Sequence, residues 1–137
     1  MDLLELALSY FPQTQTDRRV LHQHPELSFE EYKTSEYAAT RLKQQGFTIG
    51  ASLAETGFVA SLDTGRRGPS FLFRFDMDAL PVEEENEVDY CSTVPGKMHA
   101  CGHDGHVAIG LTIGWMINQL RDHLVGSYHL LFQPAEE

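Results

Sequence analysis

The sharpest chemical feature of the sequence is a cysteine and a histidine separated by one glycine, Cys101-Gly102-His103. In an extended backbone, residues i and i+2 point to the same side, and glycine adds no bulk between them. Both side chains can therefore reach one metal ion, and thiolate, imidazole and carboxylate together suit Zn²⁺. An isolated pair of this kind more commonly places a buried free cysteine beside a helix-capping loop.

Carboxylate pairs stand where two predicted strands end, and they favour the metal site over that plainer interpretation. Glu136 and Glu137 follow an apolar strand and a proline. Because neighbouring side chains diverge, one glutamate can bind a metal while the other handles a proton of the attacking water. Asp76 and Asp78 form an i, i+2 pair, in which a carboxylate can orient a metal-bound histidine. A surface acidic loop and a simple strand-end turn are the alternatives for the two pairs.

A second chemistry stays open for Cys101, which can act as a nucleophile with a histidine base. His103 lies too near in sequence for that arrangement, whereas His99 or His106 can serve. No oxyanion-stabilising device is visible in the sequence, so the metal site is the favoured interpretation. The acidic run 83–85 is predicted to be a solvated loop without chemistry.

The elements that must position these residues are helices and strands in alternation. An S-x-x-E capping box, Ser28 to Glu31, predicts the start of a helix that ends at Gly46. The nearly continuous apolar run 71–75 predicts a strand covered on both faces. Further helices are predicted at 2–11, 16–22 and 106–120, and further strands at 58–63 and 127–133.

This order of elements predicts an α/β fold with a mixed or mostly parallel sheet, flanked by the helices at 29–45 and 106–120. In open sheets of this class, ligands bind at the carboxyl ends of the strands. We therefore expect four residues to converge at one edge of the sheet: Cys101, His103, Glu136 and Glu137.

The charge balance excludes several classes of partner. The 137 residues carry 20 acidic and 10 basic side chains, for a net charge of −10. No basic footprint exists for nucleic acid, and an anionic membrane surface is an equally poor partner. The longest apolar run, 107–117, is shorter than a membrane span.

Cysteine content and the N-terminal residues predict a reduced, cytoplasmic protein. Cys91 and Cys101 are too few for a disulfide scaffold. A single bridge between them is disfavoured, because Asp2 and Glu5 stand where a secretory signal would carry basic residues.

Four motifs, in this order, resemble the M20 metallopeptidase family and most of all its amidohydrolase branch. They are RRVLHQHPELSFEE (18–31), RFDMDALPVEEEN (74–86), MHACGHDGHVAIGL (98–111) and FQPAEE (132–137). The resemblance implies a partial zinc-peptidase-like catalytic domain with two divalent metal ions, usually zinc and sometimes manganese or cobalt. It also implies a small-molecule substrate, an N-acyl or aromatic acyl amino acid, whose amide bond is hydrolysed.

Matched motif by motif, the resemblance also implies residue roles. Three residues would be metal ligands: Cys101, His103 and Glu137. Glu136 would be the general base that takes a proton from the bridging water. Asp78 occupies the position of an aspartate that lies near the metals in the wider family. Many relatives carry a histidine where Asp76 stands, so the resemblance implies no ligand role for Asp76.

Members of this family are much longer than 137 residues. Residues 1–137 are therefore expected to be the N-terminal part of the metallohydrolase catalytic domain, without the C-terminal part and the lid or dimerisation domain. Three donors are too few for two metals, and Glu137 should fray at the chain end. Strand 127–133 is expected at or near a sheet edge, which favours pairing with another chain. The chain alone is expected to be inactive and to form a homo-oligomer; a non-enzymatic folded remnant is the alternative.

Overall fold

The computed structural model describes residues 2–137, and its centre is a four-stranded sheet. The strands are β1 (Thr48–Ile49), β2 (Phe58–Asp63), β3 (Ser70–Asp76) and β4 (Ser127–Gln133), in the spatial order β1-β2-β4-β3. β1 pairs with β2, and β2 with β4, in antiparallel fashion, whereas β3 and β4 run parallel. The sheet is therefore mixed, which confirms one of the two predicted arrangements; it is not mostly parallel.

Three helices accompany the sheet. They are α1 (Leu3–Gln23), α2 (Tyr32–Gln44) and α3 (His103–Gln119), and a short 3-10 turn follows at Arg121–His123. α2 and α3 pack against the strands, and α1 packs against α3. One face of the sheet forms the core, through alternating buried residues: Phe58, Ala60 and Leu62 on β2, and Leu130 and Phe132 on β4. The predicted α/β class is confirmed.

α3 lies close to its neighbours because two of its glycines face them. A Cβ atom on Gly110 would come within 2.8 Å of the Phe75 ring, and one on Gly114 within 2.5 Å of Leu42 in α2. Ile109, the residue before Gly110, is half exposed. Within residues 2–137, no helix combines the length and apolar character that crossing a bilayer requires.

α1 is one continuous helix where the sequence predicts two. Pro12 lies inside it, and a proline there removes one helical hydrogen bond. Packing against α3 offsets this loss: the Tyr10 and Trp115 rings stack with centroids 4.4 Å apart, and the hydroxyls of Thr14 and Thr112 lie 2.6 Å apart. Tertiary contacts thus override the local helix breaker.

The start of α2 also differs from the prediction, because Ser28 and Glu31 do not form a capping box. Glu26 caps the helix instead. Its carboxylate accepts hydrogen bonds from the backbone N–H groups of Lys33 at 3.0 Å and Thr34 at 2.6 Å. Ser28 and Glu31 are left to make contacts elsewhere. The predicted stop is confirmed, since Gly46 follows the helix with a φ of +86°.

The prediction that β3 is covered on both faces is wrong. β3 is an edge strand whose first five residues are exposed, Leu72 by 64%. β4, predicted at or near an edge, lies one strand in from that edge, between β2 and β3. Apolar content predicts that a strand tends to be buried, but it does not give the position of that strand in the sheet.

Candidate metal centre

Three chain segments meet at one edge of the sheet, at the carboxyl ends of β3 and β4. The two strands are parallel, and Asp76 pairs with Gln133 where both end. The backbone N–H of Met77 donates to the Gln133 carbonyl at 3.0 Å, which keeps the segments together past the strand ends. The N-terminus of α3 brings Cys101 and His103 to the same place, so the structure brings the expected residues together.

The side chains of Cys101, His103 and Glu137 offer ligand atoms that all lie within 4.8 Å of one another, and we call these three residues the donor cluster. A hydrogen bond between the thiol and the Glu137 carboxylate, followed by burial and nearby negative charge, raises the pKa of Cys101. A cation would offset this excess of negative charge. Thiolate, imidazole and carboxylate are ligands that zinc accepts, so the donors fit a divalent metal ion.

The backbone that joins Cys101 to His103 is not extended, which corrects the reasoning from i, i+2 spacing. Gly102 has a φ of +90°, a left-handed conformation that favours glycine, and His103 is the first residue of α3. The two side chains therefore approach each other across a tight turn at the start of a helix.

His103 is buried, and the main chain of Asp78 fixes the orientation of its ring. Nδ1 lies 2.9 Å from the Asp78 carbonyl oxygen. Because a carbonyl oxygen only accepts, Nδ1 carries the hydrogen and Nε2 keeps its lone pair. Nε2 lies 3.5 Å from Oε2 of Glu136 and 4.0 Å from Oε1 of Glu137. The free nitrogen thus faces both glutamates.

Asp78 is fully buried and supports the site through its neighbours. Its Oδ2 accepts the Ser28 hydroxyl and the backbone N–H of Glu137, both at 3.0 Å, while Oδ1 lies 3.2 Å from Nδ1 of His103. Burial raises the pKa of Asp78, but hydrogen bonds from the backbone of Glu137 and Glu136 and from Ser28 hold it below its ordinary value. Asp78 is therefore an ionised carboxylate that orients both His103 and the glutamate segment.

A second group of donor atoms shares His103 with the donor cluster. Asp76, His103 and His106 offer ligand atoms within 4.8 Å of one another, and the two imidazole rings stack at 5.5 Å. However, Nε of Arg74 lies 3.3 Å from Oδ1 of Asp76. Because this carboxylate already has a cationic partner, the group is the weaker candidate for a metal ion, and Asp76 keeps no ligand role.

The two cysteines are free and have different surroundings. Cys91 donates its S–H to the Asn86 carbonyl at 2.9 Å, whereas Cys101 bonds to Glu137. His99, one of the two bases considered for a nucleophilic Cys101, is buried, and its ring nitrogens have no hydrogen-bond partner among residues 2–137. Burial lowers the pKa of His99 to about 4. The partner of the Cys101 thiol is therefore the Glu137 carboxylate, and His99 is a poor base for it.

A separate buried group of charges, which we call the His22 cluster, joins α1 to α3 and to the loop after β3. His22 contacts Asp104 at 2.8 Å and Glu84 at 2.9 Å through its two ring nitrogens, and Arg18 pairs with Asp104 at 2.9 Å. Burial raises the pKa of Glu84, but the backbone N–H of Ser92 and the His22 ring lower it to about 2. Only 4% of the Glu84 side chain is exposed, so the predicted solvated acidic loop is wrong at this position.

Two residues that the sequence analysis did not assign to the site support it from outside. Ser28 donates to Asp78, and Glu31 accepts the backbone N–H of Ala135 just before the two glutamates. The S-x-x-E spacing marks both residues. In this chain the two residues of that motif make hydrogen bonds that support the site, and they do not cap the helix.

Comparison with known proteins agrees with this geometry. The sequence model of the Peptidase family M20/M25/M40 matches residues 72–137. The N-acetyl-L-cysteine deacetylase of Bacillus subtilis (strain 168) is 44% identical over 120 residues, which cover 88% of this chain and 29% of that protein. The N-acyl-L-amino acid amidohydrolase of Geobacillus stearothermophilus is 45% identical over 120 residues, which cover 88% of this chain and 32% of that protein.

A crystal structure gives the same result. A Bacillus subtilis protein described as a dinuclear metal binding peptidase from the M20 family superposes with a TM-score of 0.88 and 37% identity, over 93% of this chain and 36% of that chain. The chain belongs to the M20 peptidase family. It spans about a third of the length of the curated relatives that it matches.

Proposed function

We propose that this chain carries part of the catalytic site of a metal-dependent amidohydrolase that cleaves the amide bond of N-acyl amino acids. The observation that carries the proposal is the donor cluster, whose atoms come from two distant segments and lie within 4.8 Å of one another. The substrate class is supported by the names of two relatives, an N-acetyl-L-cysteine deacetylase and an N-acyl-L-amino acid amidohydrolase.

In this proposal Cys101, His103 and Glu137 hold a divalent metal ion, with zinc as the first choice and manganese or cobalt as alternatives. A thiolate ligand favours zinc and cobalt over manganese, which prefers oxygen. When bound, the metal supplies a Lewis acid that polarises the amide carbonyl and makes water more acidic. A second ion in the intact enzyme is supported by the structural relative that is described as dinuclear.

The proton transfers are assigned to Glu136. Its carboxylate lies 3.5 Å from Nε2 of His103 and remains 37% exposed, so it borders the donor cluster and can still reach water. As general base it takes a proton from the attacking water, and as general acid it passes that proton to the amine nitrogen that leaves. Asp78 contacts no reacting atom in this scheme; it holds His103 and the backbone of Glu137 in place.

We further propose that residues 1–137 are the N-terminal part of the catalytic domain and that they do not turn over substrate alone. The chain spans about a third of its curated relatives. Two metals that share one bridging group need about five protein donors, whereas the donor cluster supplies three. One metal ion would be held loosely and a second would lack its ligands.

A chimera tests the activity directly. Residues 1–137 replace the matching segment of the Geobacillus amidohydrolase, and hydrolysis of N-acetyl- and N-benzoyl-amino acids is measured with added zinc, manganese or cobalt. We expect metal-dependent turnover by the chimera, and a loss of about 10²–10⁴-fold in kcat for Glu136→Gln. Turnover that survives Glu136→Gln would contradict the proposed base.

The isolated 137-residue chain tests whether residues 1–137 turn over substrate alone. We expect no turnover in the same assay with any of the three metals. Metal-dependent turnover that disappears in Glu136→Gln would show that the chain is sufficient by itself.

The homo-oligomer and the cytoplasmic location remain predictions. The exposed ladder that can pair with a second copy belongs to β3 and not to β4. Sedimentation of the chain and of Leu72→Lys, which places a charge at the most exposed of the large apolar residues of that strand, tests the association. We expect the variant to sediment as a smaller species.

A further inference from the structure

Glu31 is a buried carboxylate that takes no part in the donor cluster. Its side chain is completely inaccessible, and no lysine, arginine or histidine forms an ion pair with it among residues 2–137. The N-terminus of α2, which it directly precedes, offsets its charge only in part. Burying a carboxylate without a cation costs free energy, and hydrogen bonds to its oxygens must offset that cost.

Both oxygens of Glu31 accept hydrogen bonds from neutral donors. Oε2 accepts the Thr56 hydroxyl at 2.6 Å. Oε1 accepts the backbone N–H of Ala135 at 2.9 Å, across 104 residues of sequence. Glu31 therefore ties the start of α2 to the segment that carries Glu136 and Glu137.

The segment around Ala135 needs such a tie because its backbone is strained. Ala135 has a φ of +52°, a left-handed conformation that costs energy for a residue with a Cβ atom. The preceding Pro134 is wedged against Gly57, where an added Cβ would lie 2.7 Å from the proline ring. A chain in this conformation persists only when its surroundings impose it.

Two buried carboxylates thus hold the backbone on either side of Glu136. Glu31 binds the N–H of Ala135, and Asp78 binds the N–H of Glu137. Between these two bonds the Glu136 side chain reaches to 3.5 Å from Nε2 of His103.

We propose that Glu31 is a positioning residue, which fixes the left-handed turn at Ala135 and thereby sets where Glu136 and Glu137 stand relative to His103. This inference rests on the proposed function for its catalytic meaning. Its structural content, that Glu31 holds the residue 135–137 segment, stands by itself. A displacement of about 1 Å at a catalytic group is enough to lower a rate strongly.

The experiment uses the 137-residue chain and three variants. Glu31→Met keeps the length of the side chain but removes both acceptors. Glu31→Gln keeps one acceptor for Ala135, because the Thr56 hydroxyl can rotate to accept from the new amide. Thr56→Val removes the other bond of Glu31 and leaves the bond to Ala135 intact, so it is the matched control for losing a buried hydrogen bond.

The first measurement is amide hydrogen exchange by NMR, which needs no metal. We expect a slowly exchanging Ala135 amide in the wild-type chain, in Glu31→Gln and in Thr56→Val, and loss of that protection in Glu31→Met. An unprotected Ala135 amide in the wild-type chain overturns the inference, even if Glu31→Met fails to fold. Protection that survives in a folded Glu31→Met overturns it as well.

The second measurement is cobalt(II) binding, followed by the thiolate-to-cobalt absorption of Cys101. We expect the dissociation constant to rise by about tenfold in Glu31→Met, the scale of losing a support behind a metal ligand, and to stay unchanged in Glu31→Gln and Thr56→Val. Equal weakening in Thr56→Val would show a general loss of stability and contradict the positioning role. A wild-type chain that binds no cobalt would refute the proposed metal site, and the exchange data would still decide the role of Glu31.

Discussion

The donor cluster and the His22 cluster use the same kinds of side chain and take adjacent residues of α3, His103 and Asp104, but they differ in how completely their polar atoms are paired. In the His22 cluster the imidazole lies between two carboxylates, and Arg18 adds a positive charge. In the donor cluster a thiol and carboxylates surround one free imidazole nitrogen. Among residues 2–137 no lysine or arginine pairs with Glu136 or Glu137.

How completely the polar atoms of a cluster are paired distinguishes a structural role from a functional one more clearly than the residue types do. A paired cluster has already gained its electrostatic energy within the fold, so its loss shows as a change in stability. A cluster whose thiol and imidazole nitrogen lie beside carboxylates without a cation gains its electrostatic energy only when a cation binds, so its loss shows as a change in binding. The two clusters are therefore expected to respond in opposite ways to substitution.

The largest expected effect is on stability, in His22→Ala. The change leaves the carboxylates of Glu84 and Asp104 buried without their imidazole partner and should lower the free energy of unfolding by about 3–5 kcal/mol. Urea unfolding measures it, with His123→Ala, an exposed histidine, as the control. Cobalt affinity should not change. A His22→Ala chain as stable as the control would break the comparison, as would one that loses cobalt binding while remaining folded.

The second effect is the acid sensitivity of the His22 cluster. The pKa of Glu84 is about 2 in the folded chain, against an ordinary value of 4.5. Its stabilising contribution is therefore fully present above pH 4.5 and is lost as the pH falls toward 2, for a total of about 3 kcal/mol. Unfolding free energies measured from pH 6 to pH 2 should decline less steeply in Glu84→Gln. Parallel curves for the two proteins would count against a buried, paired Glu84.

The smallest effect on stability is expected in the donor cluster, from Cys101→Ser. Cys101 is exposed, so the free energy of unfolding should change by less than about 0.5 kcal/mol. Zinc should protect Cys101, but not Cys91, from a thiol-labelling reagent, and cobalt binding should weaken in Cys101→Ser but not in Cys91→Ser. Equal zinc protection of both thiols, or of Cys91 alone, would remove Cys101 from the site.

The sequence predicted those parts of the molecule that local chemistry decides. The bounds of β2 and the stop at Gly46 follow from alternation and from a glycine signal, and both are confirmed. The meeting of Cys101, His103 and Glu137 followed from polar residues placed at strand ends. Such features depend on a few neighbouring residues.

Features decided by distant contacts were not predictable in the same way. α1 continues through Pro12 because it packs on α3, whose residues lie far along the chain. Glu84 and Glu31 are buried by partners that sequence spacing does not reveal. The edge position of β3 depends on the parallel pairing with β4, which an apolar pattern alone cannot specify.

The central position of β4 has a consequence for the order in which the chain can fold. Each residue of β3 pairs with a residue 57 positions later, as Ser70 does with Ser127. A ribosome adding about 5–20 residues per second makes β4 roughly 3–11 s after β3. Through that interval the apolar residues of β3 have no partner strand, and β2 can pair only with the two residues of β1. When β4 is made, it joins β2 to β3 and is followed directly by both glutamates, so this part of the core and the residues Glu136 and Glu137 are put in place together.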